Sequence, residues 1–235
     1  MKTLLKISAV LLLFLTTSCF LDGVRGDRNV ITQDRNISSD FDALHVSHGI
    51  NVKLTMGSST SLKLEADENL HEIIRTEVED GVLRIYSERN IYSAKKRTVY
   101  LTATDLNEIK ITSGAQVTSE NTIKTEELKV STTSGANAKL KLEVANVSCS
   151  STSGSIARLS GRAERLTVSA TSGANIKAKN LEALICKAKA TSGSVVSVHA
   201  SQELDAKATS GGNISCSGDP EIVKKNSSSG GNIRT

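Results

Sequence analysis

The sequence predicts an all-β protein: a right-handed parallel β-helix, or solenoid, with coils of about 18–21 residues, capped by a less regular N-terminal β region. Three observations predict it. The first is a Ser-Gly pair that recurs at Gly114, Gly135, Gly154, Gly173, Gly193, Gly211 and Gly230, with gaps of 18 to 21 residues. Self-similarity at a fixed period marks a fold of stacked units. The second is apolar alternation on both sides of each pair. Leu128-x-Val130, Val147-x-Cys149 and Leu166-x-Val168 precede it, and Ala138-x-Leu140-x-Leu142, Ile176-x-Ala178 and Ile214-x-Cys216 follow it. A period of two places one set of side chains inside and the other in water. The third is the composition. Aromatic residues are 3% of the chain, Trp is absent, and nothing after Tyr100 is aromatic. A core without aromatics is thin and filled by Val, Ile, Leu, Ala and Cys, which suits a solenoid better than a sandwich.

Taken in order, residues 1–18 read as a secretory signal peptide. Lys2 and Lys6 form its basic end, and Ile7 to Leu15 is an apolar run of nine residues interrupted only by Ser8. A bilayer span needs about 20 residues, so this run is a signal core rather than a membrane helix. Cys19 follows directly in the manner of a bacterial lipobox and is the expected lipidation site, although Leu15 stands one position further from it than is usual. Residues 19–28 are expected to be a short tether and 29–235 the folded domain. Within that domain 29–105 form irregular N-terminal coils and cap, and 106–235 form the regular repeats. Phe41 to Leu54 suggests a hairpin-like stretch around His48-Gly49. Asp80-Gly81 suggests a turn between two strands, and Glu68 to Thr76 a short helix.

In the regular part each coil is expected to hold two short strands joined at a Thr-Ser-Gly corner. There glycine takes a positive φ without a Cβ penalty. Asn137, Asn175, Asn213 and Asn232 follow the pair as residues tolerant of the left-handed region. A polar turn near Glu127, Glu164, Glu182 and Glu203 closes the coil. A leucine-rich repeat has an overlapping period, but only Leu181 to Cys186 mimics its motif and no coil carries a helical segment. The recurrent Gly-x-Asp of a calcium-binding β-roll is missing.

These residues resemble a known family, the auto-transporter adhesin head domain called GIN, a domain of unknown function common in Bacteroidetes lipoproteins. The resemblance is carried by Phe41-Asp42-Ala43-Leu44-x-Val46, Gly49-Ile50-Asn51-Val52-Lys53-Leu54, Leu64-Glu65-Ala66-Asp67-Glu68-Asn69-Leu70 and Asp80-Gly81-x-Leu83-x-Ile85. The Ser-Gly-Ala/Gly-Asn coils complete it, so that it covers about residues 30–235. It implies a right-handed parallel β-helix and secretion, and it brings no catalytic residues with it.

Chemistry is hard to find in the chain. Cys149, Cys186 and Cys216 lie 37 and 30 residues apart, which fits no zinc pattern. Cys149 falls in the slot of Val130 and Val168, and Cys216 in that of Leu140 and Ala178, so all three read as buried, unpaired thiols. His45 and His48, three apart on a strand, are expected on opposite faces, and His71 and His199 in surface or turn roles. No catalytic, cofactor or metal residues are expected, and phosphate loops and nucleophile elbows are missing. The net charge of +4 falls to about +2 once Lys2 and Lys6 are removed, too little for a nucleic-acid footprint.

The expected function is therefore non-enzymatic: an adhesin or structural binding surface in the cell envelope. Export and a lipid anchor would hold it at the outer membrane, facing the periplasm or the exterior. Its expected partners are the membrane, through the anchor, and a surface glycan or an envelope protein. A polysaccharide lyase or hydrolase on the same scaffold, and a regulatory lipoprotein that binds another protein, are the alternatives. Lys224, Lys225 and Arg234 on the final coil are expected to block edge pairing and so favour a monomer.

Overall fold

The computed structural model describes residues 23–235, of which the strands form two ladders. Residues 1–18, expected to be a signal peptide, and Cys19 lie outside the described residues. The regular part is built from β10 (Glu108–Ile111), β11 (Gln116–Thr132), β12 (Asn137–Ser151), β13 (Ile156–Ala170), β14 (Asn175–Ala190), β15 (Val195–Ala208), β16 (Asn213–Ser217), β17 (Ile222–Ser227) and β18 (Asn232–Arg234). Every neighbouring pair among them is parallel, giving an all-β solenoid of about seven turns. The register keeps like with like. Leu128, Val147, Leu166, Cys186 and Leu204 are successive partners, and so are Val130, Cys149, Val168, Ala188 and Ala206. All ten are at least 97% buried, forming two of the internal columns that hold the coils together.

The corners are more specific than the sequence implies. At each one both Ser and Gly lie in the left-handed region, with φ of 50–53° for the seven serines from Ser113 to Ser229 and 69–76° for their glycines. The N–H of the following residue donates to the Thr carbonyl, as Ala136 does to Thr133 at 3.1 Å. This is a type I′ turn, which needs positive φ at both central positions. From Gly114 to Gly211 each corner Gly N–H then donates to the Ser carbonyl of the next coil, as Gly135 does to Ser153 at 3.1 Å, so the ladder runs through the corners as well. The left-handed partner of glycine is thus the preceding Ser and not the following Asn. Asn137, Asn175, Asn213 and Asn232 begin the next strand, and the amides of Asn137 and Asn213 donate back to Gly135 and Gly211.

Between corners no turn separates two strands. The chain from Asn137 to Ser151 is one bent strand in which the outward pair Ala145-Asn146 breaks the alternation. Glu127, Glu164 and Glu182 stand on the outside of that bend. Each coil therefore shows water three outward runs: a first face after the corner (Lys139, Lys141), a second at the bend (Glu143) and a third leading to the next corner (Ser148, Ser150).

The N-terminal region joins the same stack. The elements are β1 (Val24–Arg25), β2 (Val30–Arg35), β3 (Ala43–Val46), β4 (Asn51–Met56), β5 (Ser61–Asp67), β6 (Ile74–Glu79), β7 (Val82–Ser87), β8 (Ile91–Ser93) and β9 (Arg97–Ala103). The stretch around His48-Gly49 is no hairpin. β3 and β4 lie parallel to β10 and β11, pairing Leu44 with Ile109 and Val52 with Val117. His48 has φ 57°, and Gly49 N–H donates to Ser113. His48-Gly49 is thus one more corner, with His in the Ser position. β7 and β9 form a further coil beneath, pairing Leu44 with Leu83 and Val52 with Val99. The chain steps down to that coil and then returns above its starting point. The end is closed by antiparallel strands, β6 on β7, β5 on β9 and β2 on β5.

The expected helix over 68–76 shrinks to one 3₁₀ turn, Glu68–Leu70. Ile73 and Ile74 are β-branched and favour the strand, and Ile74 starts β6 opposite Ser87. Asp80-Gly81, at φ 50° and 75°, is the expected turn of the β6–β7 hairpin. Regular pairing begins before residue 29, because β1 lies parallel to β8 with Val24 opposite Ile91.

Candidate binding surface

Two of the concavities on the described surface gather charged side chains, and each includes residues singled out in the sequence: His45 and His48 in one, Glu164, Glu182 and His199 in the other. The first is an open cleft of about 450 Å³ on the third face, where the β6–β7 hairpin stands beside the His48 corner. Glu77, Glu79 and Tyr86 form the hairpin wall, and His45, His48 and Lys110 the opposite side. His45 and His48 therefore share one cleft instead of pointing apart, because His48 lies in the left-handed corner and not on the strand. The groups are mutually bonded. His45 Nε2 lies 3.5 Å from Glu108, which Lys129 also reaches at 3.0 Å. Tyr86 donates to Glu77 at 3.0 Å, and Arg84 lies 3.7 Å from Glu79.

Burial, with Lys110 and Arg84 nearby, pushes the His45 imidazole below its ordinary value despite Glu108. Burial alone would raise Glu108, but Lys129 and His45 together hold its carboxyl below the usual range. Ser47 Oγ sits 2.7 Å from His48 Nδ1, as a hydroxyl and a base would. Among the described residues, however, no carboxylate is bonded to His48 to orient it, which a nucleophile–base pair requires. The cleft offers a mixed set of donors and acceptors suited to holding a polar molecule.

The second concavity, of about 420 Å³, lies on the second face among Glu143, Arg162, Glu182, Leu184 and His199. Its charges alternate from coil to coil: Lys124 pairs with Glu143 at 2.9 Å, and Arg162 with Glu182 at 3.4 Å. Glu143 and Glu182 are thus each paired with a cation one coil away. That arrangement suits a solvated edge better than the isolated, raised-pKa acid of a glycosidase.

The cysteines occupy the slots expected of them, and all three thiols are free. Cys149 is partnered by Val130 and Val168, and Cys216 by Val198 in the column that continues to Ala178. Burial pushes Cys149 to about 12, and burial with the nearby Cys216 thiol pushes Cys186 to about 12. Such thiols are inert. Cys216 departs from expectation in being only partly buried, since the short β18 ends opposite Ser215 and leaves it less covered. His71 departs too: it is buried beneath β2, with Nδ1 3.2 Å from Gln33 and Nε2 3.3 Å from the Ala66 carbonyl. Among the described residues no group of three or more His, Cys, Asp or Glu side chains is placed to hold a metal ion. Cys19, the expected lipidation site, lies outside the described residues.

The hairpin wall of the cleft, Glu77, Glu79 and Tyr86, escaped sequence reasoning because β7 reaches β3 from about 40 residues downstream with no local signal. The His48 corner was legible in principle: His48-Gly49-Ile50-Asn51 aligns with Ser134-Gly135-Ala136-Asn137.

A parallel solenoid with left-handed Ser-Gly corners and an antiparallel N-terminal cap defines a class of repeat proteins that present long lateral surfaces. The chain belongs to one family within it, described as "Putative auto-transporter adhesin, head GIN domain", whose model matches residues 40–220. Solved structures share the fold. A "putative adhesin" from Bacteroides fragilis is 21% identical, with a TM-score of 0.82 over 90% of this chain and 99% of its own. A "putative lipid binding protein" from Parabacteroides distasonis is 23% identical, with a TM-score of 0.73 over 90% and 98%. A "putative adhesin" from Parabacteroides merdae is 21% identical, with a TM-score of 0.69 over 91% and 99%. Comparison with curated proteins gave no match.

Proposed function

We propose that this chain is a non-enzymatic cell-envelope protein that uses the lateral surface of its solenoid for adhesion or structural binding. The observation that carries the reading is the surface itself. Successive coils repeat outward polar positions along the regular part, with register shifts at Thr118/Thr122, Arg158/Ser160, Ala178/Glu182 and Ala183/Ile185, and the concavities among them are open. Membership of an adhesin-described family supports it. In this reading the signal peptide exports the chain and Cys19 carries a lipid that anchors it at the outer membrane, leaving the solenoid free to meet a surface glycan or an envelope protein.

The test is a binding screen of the mature chain, with Cys19→Ser to keep it in solution, against glycans and envelope proteins. Saturable binding that is lost on changing outward residues supports the reading. Binding to nothing in either set, or turnover of a polysaccharide, sinks it. The anchor is tested separately: Cys19→Ala should move the protein from the membrane to the soluble fraction, and unchanged partitioning would reject lipidation.

A further inference from the structure

Across most of its surface this molecule stacks opposite charges. On the second face Lys124, Glu143, Arg162 and Glu182 are successive partners of alternating sign. On the third, Glu108 partners Lys129, and Lys187, Asp205 and Lys224 alternate again, although Lys189 and Lys207 form one like-charge pair beside them. The alternation has a physical reason. Parallel coils bring registered side chains to about 4.8 Å from one another, and like charges directly opposite destabilise a sheet.

The first face departs furthest from the pattern, with a like-charge run of three where the third face has only the pair Lys189 and Lys207. Lys139 partners Arg158, and Arg158 partners Lys177, so three cations stand one above another on consecutive coils. Lys141 and Lys179 flank them on the same side of β12 and β14. All five are exposed, none is ion-paired to another of the described residues, and the outward residues of this face on β12, β13 and β14 include no acid. The glutamates beside these strands are held by other cations: Glu120 by Lys53, Glu143 by Lys124 and Glu182 by Arg162.

We infer that this strip is a binding site for a linear acidic polysaccharide, its carboxylates or sulfates meeting Lys139, Arg158 and Lys177 in turn. The inference rests on the adhesin reading and gives it a ligand class. A polymer running along the solenoid axis meets one cation per coil, and fixed, evenly spaced cations on a rigid scaffold are pre-organised for evenly spaced anions. Asn137, Ser160 and Ser197 border the strip with amide and hydroxyl groups suited to sugar hydroxyls. Nucleic acid fits less well, since the regular coils carry no aromatic residue on which bases could stack. An anionic membrane fits less well too, because the apolar residues bordering the cations are Ile156 and Val195, short β-branched side chains rather than the Trp, Phe and Leu face that inserts into a bilayer.

The test compares the mature Cys19→Ser chain with two derivatives of equal charge change. One carries Lys139→Gln, Arg158→Gln and Lys177→Gln. The other carries Lys187→Gln, Lys189→Gln and Lys207→Gln on the third face. Binding to polygalacturonate is measured across a salt series, with neutral dextran, duplex DNA and phosphatidylglycerol vesicles as comparators. The parent should bind polygalacturonate with affinity that falls as salt rises. The first-face derivative should lose about 10-fold or more, its salt slope falling by about one for each cation removed, as for other polyanions. The third-face derivative should stay within about twofold of the parent. The melting temperature of the first-face derivative should hold or rise, because a like-charge column has been relieved.

Equal losses in both derivatives, no loss in the first, or stronger binding to DNA or vesicles than to polygalacturonate would each overturn the assignment. A first-face derivative that keeps the parent's full profile in a glycan and envelope-protein screen would remove the strip and leave the adhesin reading standing. A parent that binds nothing would remove both.

Discussion

Asp67 shows how one side chain can bind several segments together. It is fully buried and accepts backbone N–H bonds from Arg28 at 3.1 Å, Lys95 at 3.0 Å and Lys96 at 2.8 Å. Burial alone would raise its pKa, but these three donors outweigh burial and hold the carboxyl below its ordinary value. Gly26 passes so close that a Cβ there would lie 2.0 Å from Asp67 Oδ2. Asp67→Ala strands three donors and should cost about 3 kcal/mol, read as a lower denaturation midpoint. The sign of the pH dependence follows from the depressed pKa. The stabilisation is complete above the unfolded value, about 4, and is lost as pH falls through the folded value. Wild type should therefore lose stability more steeply than Asp67→Ala on acidification below pH 4, and parallel curves would show that the carboxylate is not the cause. The thiols give a second check at this scale. Unfolded, non-reduced protein should show free Cys149, Cys186 and Cys216. In the native state a thiol reagent should modify Cys216 well before the other two, in the order of their burial. A disulfide among the three would contradict the register.

Among the elements, the corners decide how much of the fold could be read from sequence. Seven Ser-Gly pairs at near-constant spacing revealed the solenoid, because a type I′ turn restricts its two central residues and so leaves a mark in composition. The strand columns were legible for a similar reason: inward slots are filled mainly by aliphatic residues and Cys, and the buried exceptions Thr132 and Ser151 bond to each other at 2.8 Å. The N-terminal coils were harder. There the same corner carries His, and the strand beneath it, β7, arrives from 40 residues downstream in an order no local pattern encodes. The binding cleft was invisible for that reason, since its wall belongs to β6 and β7 and its floor to β3 and β10. The equivalence of the corners can be tested directly. His48→Ser puts at this corner the residue found at seven others, and its stability should stay within about 0.5 kcal/mol of wild type. Gly49→Ala, by contrast, must hold a Cβ at φ 67° with the Arg97 guanidinium 3.2 Å away, and should cost about 1–2 kcal/mol. A large loss in His48→Ser would mean that the ring, through its contact with Ser47, holds the first coil together.

For the whole molecule, the two ends of the stack are finished by different means. At the N-terminal end antiparallel strands β2, β5 and β6 cover the last parallel coil, and Phe41 is the one buried aromatic among the described residues. At the other end β17 and β18 are each paired on one side only, to β15 and β16. Ile222 and Val223 are 52% and 42% exposed there. An exposed strand with apolar side chains is a template for pairing with another chain. The residues that oppose this are charged. Lys224 is held by Glu203 at 3.1 Å, and Lys225, which sits in register with the inward Ala206, turns to bond Thr235. Lys225 thus places an ammonium group where every earlier coil has a small apolar side chain, and a second molecule stacking on this end would have to desolvate it. Replacing Lys224 and Lys225 together by Val removes that penalty and extends the apolar column by one coil. The double variant should self-associate in sedimentation velocity at concentrations where the parent sediments as a monomer. A parent that already forms a stable dimer through β17, or a double variant that remains monomeric, would show that charge at this edge is not what keeps the chains apart.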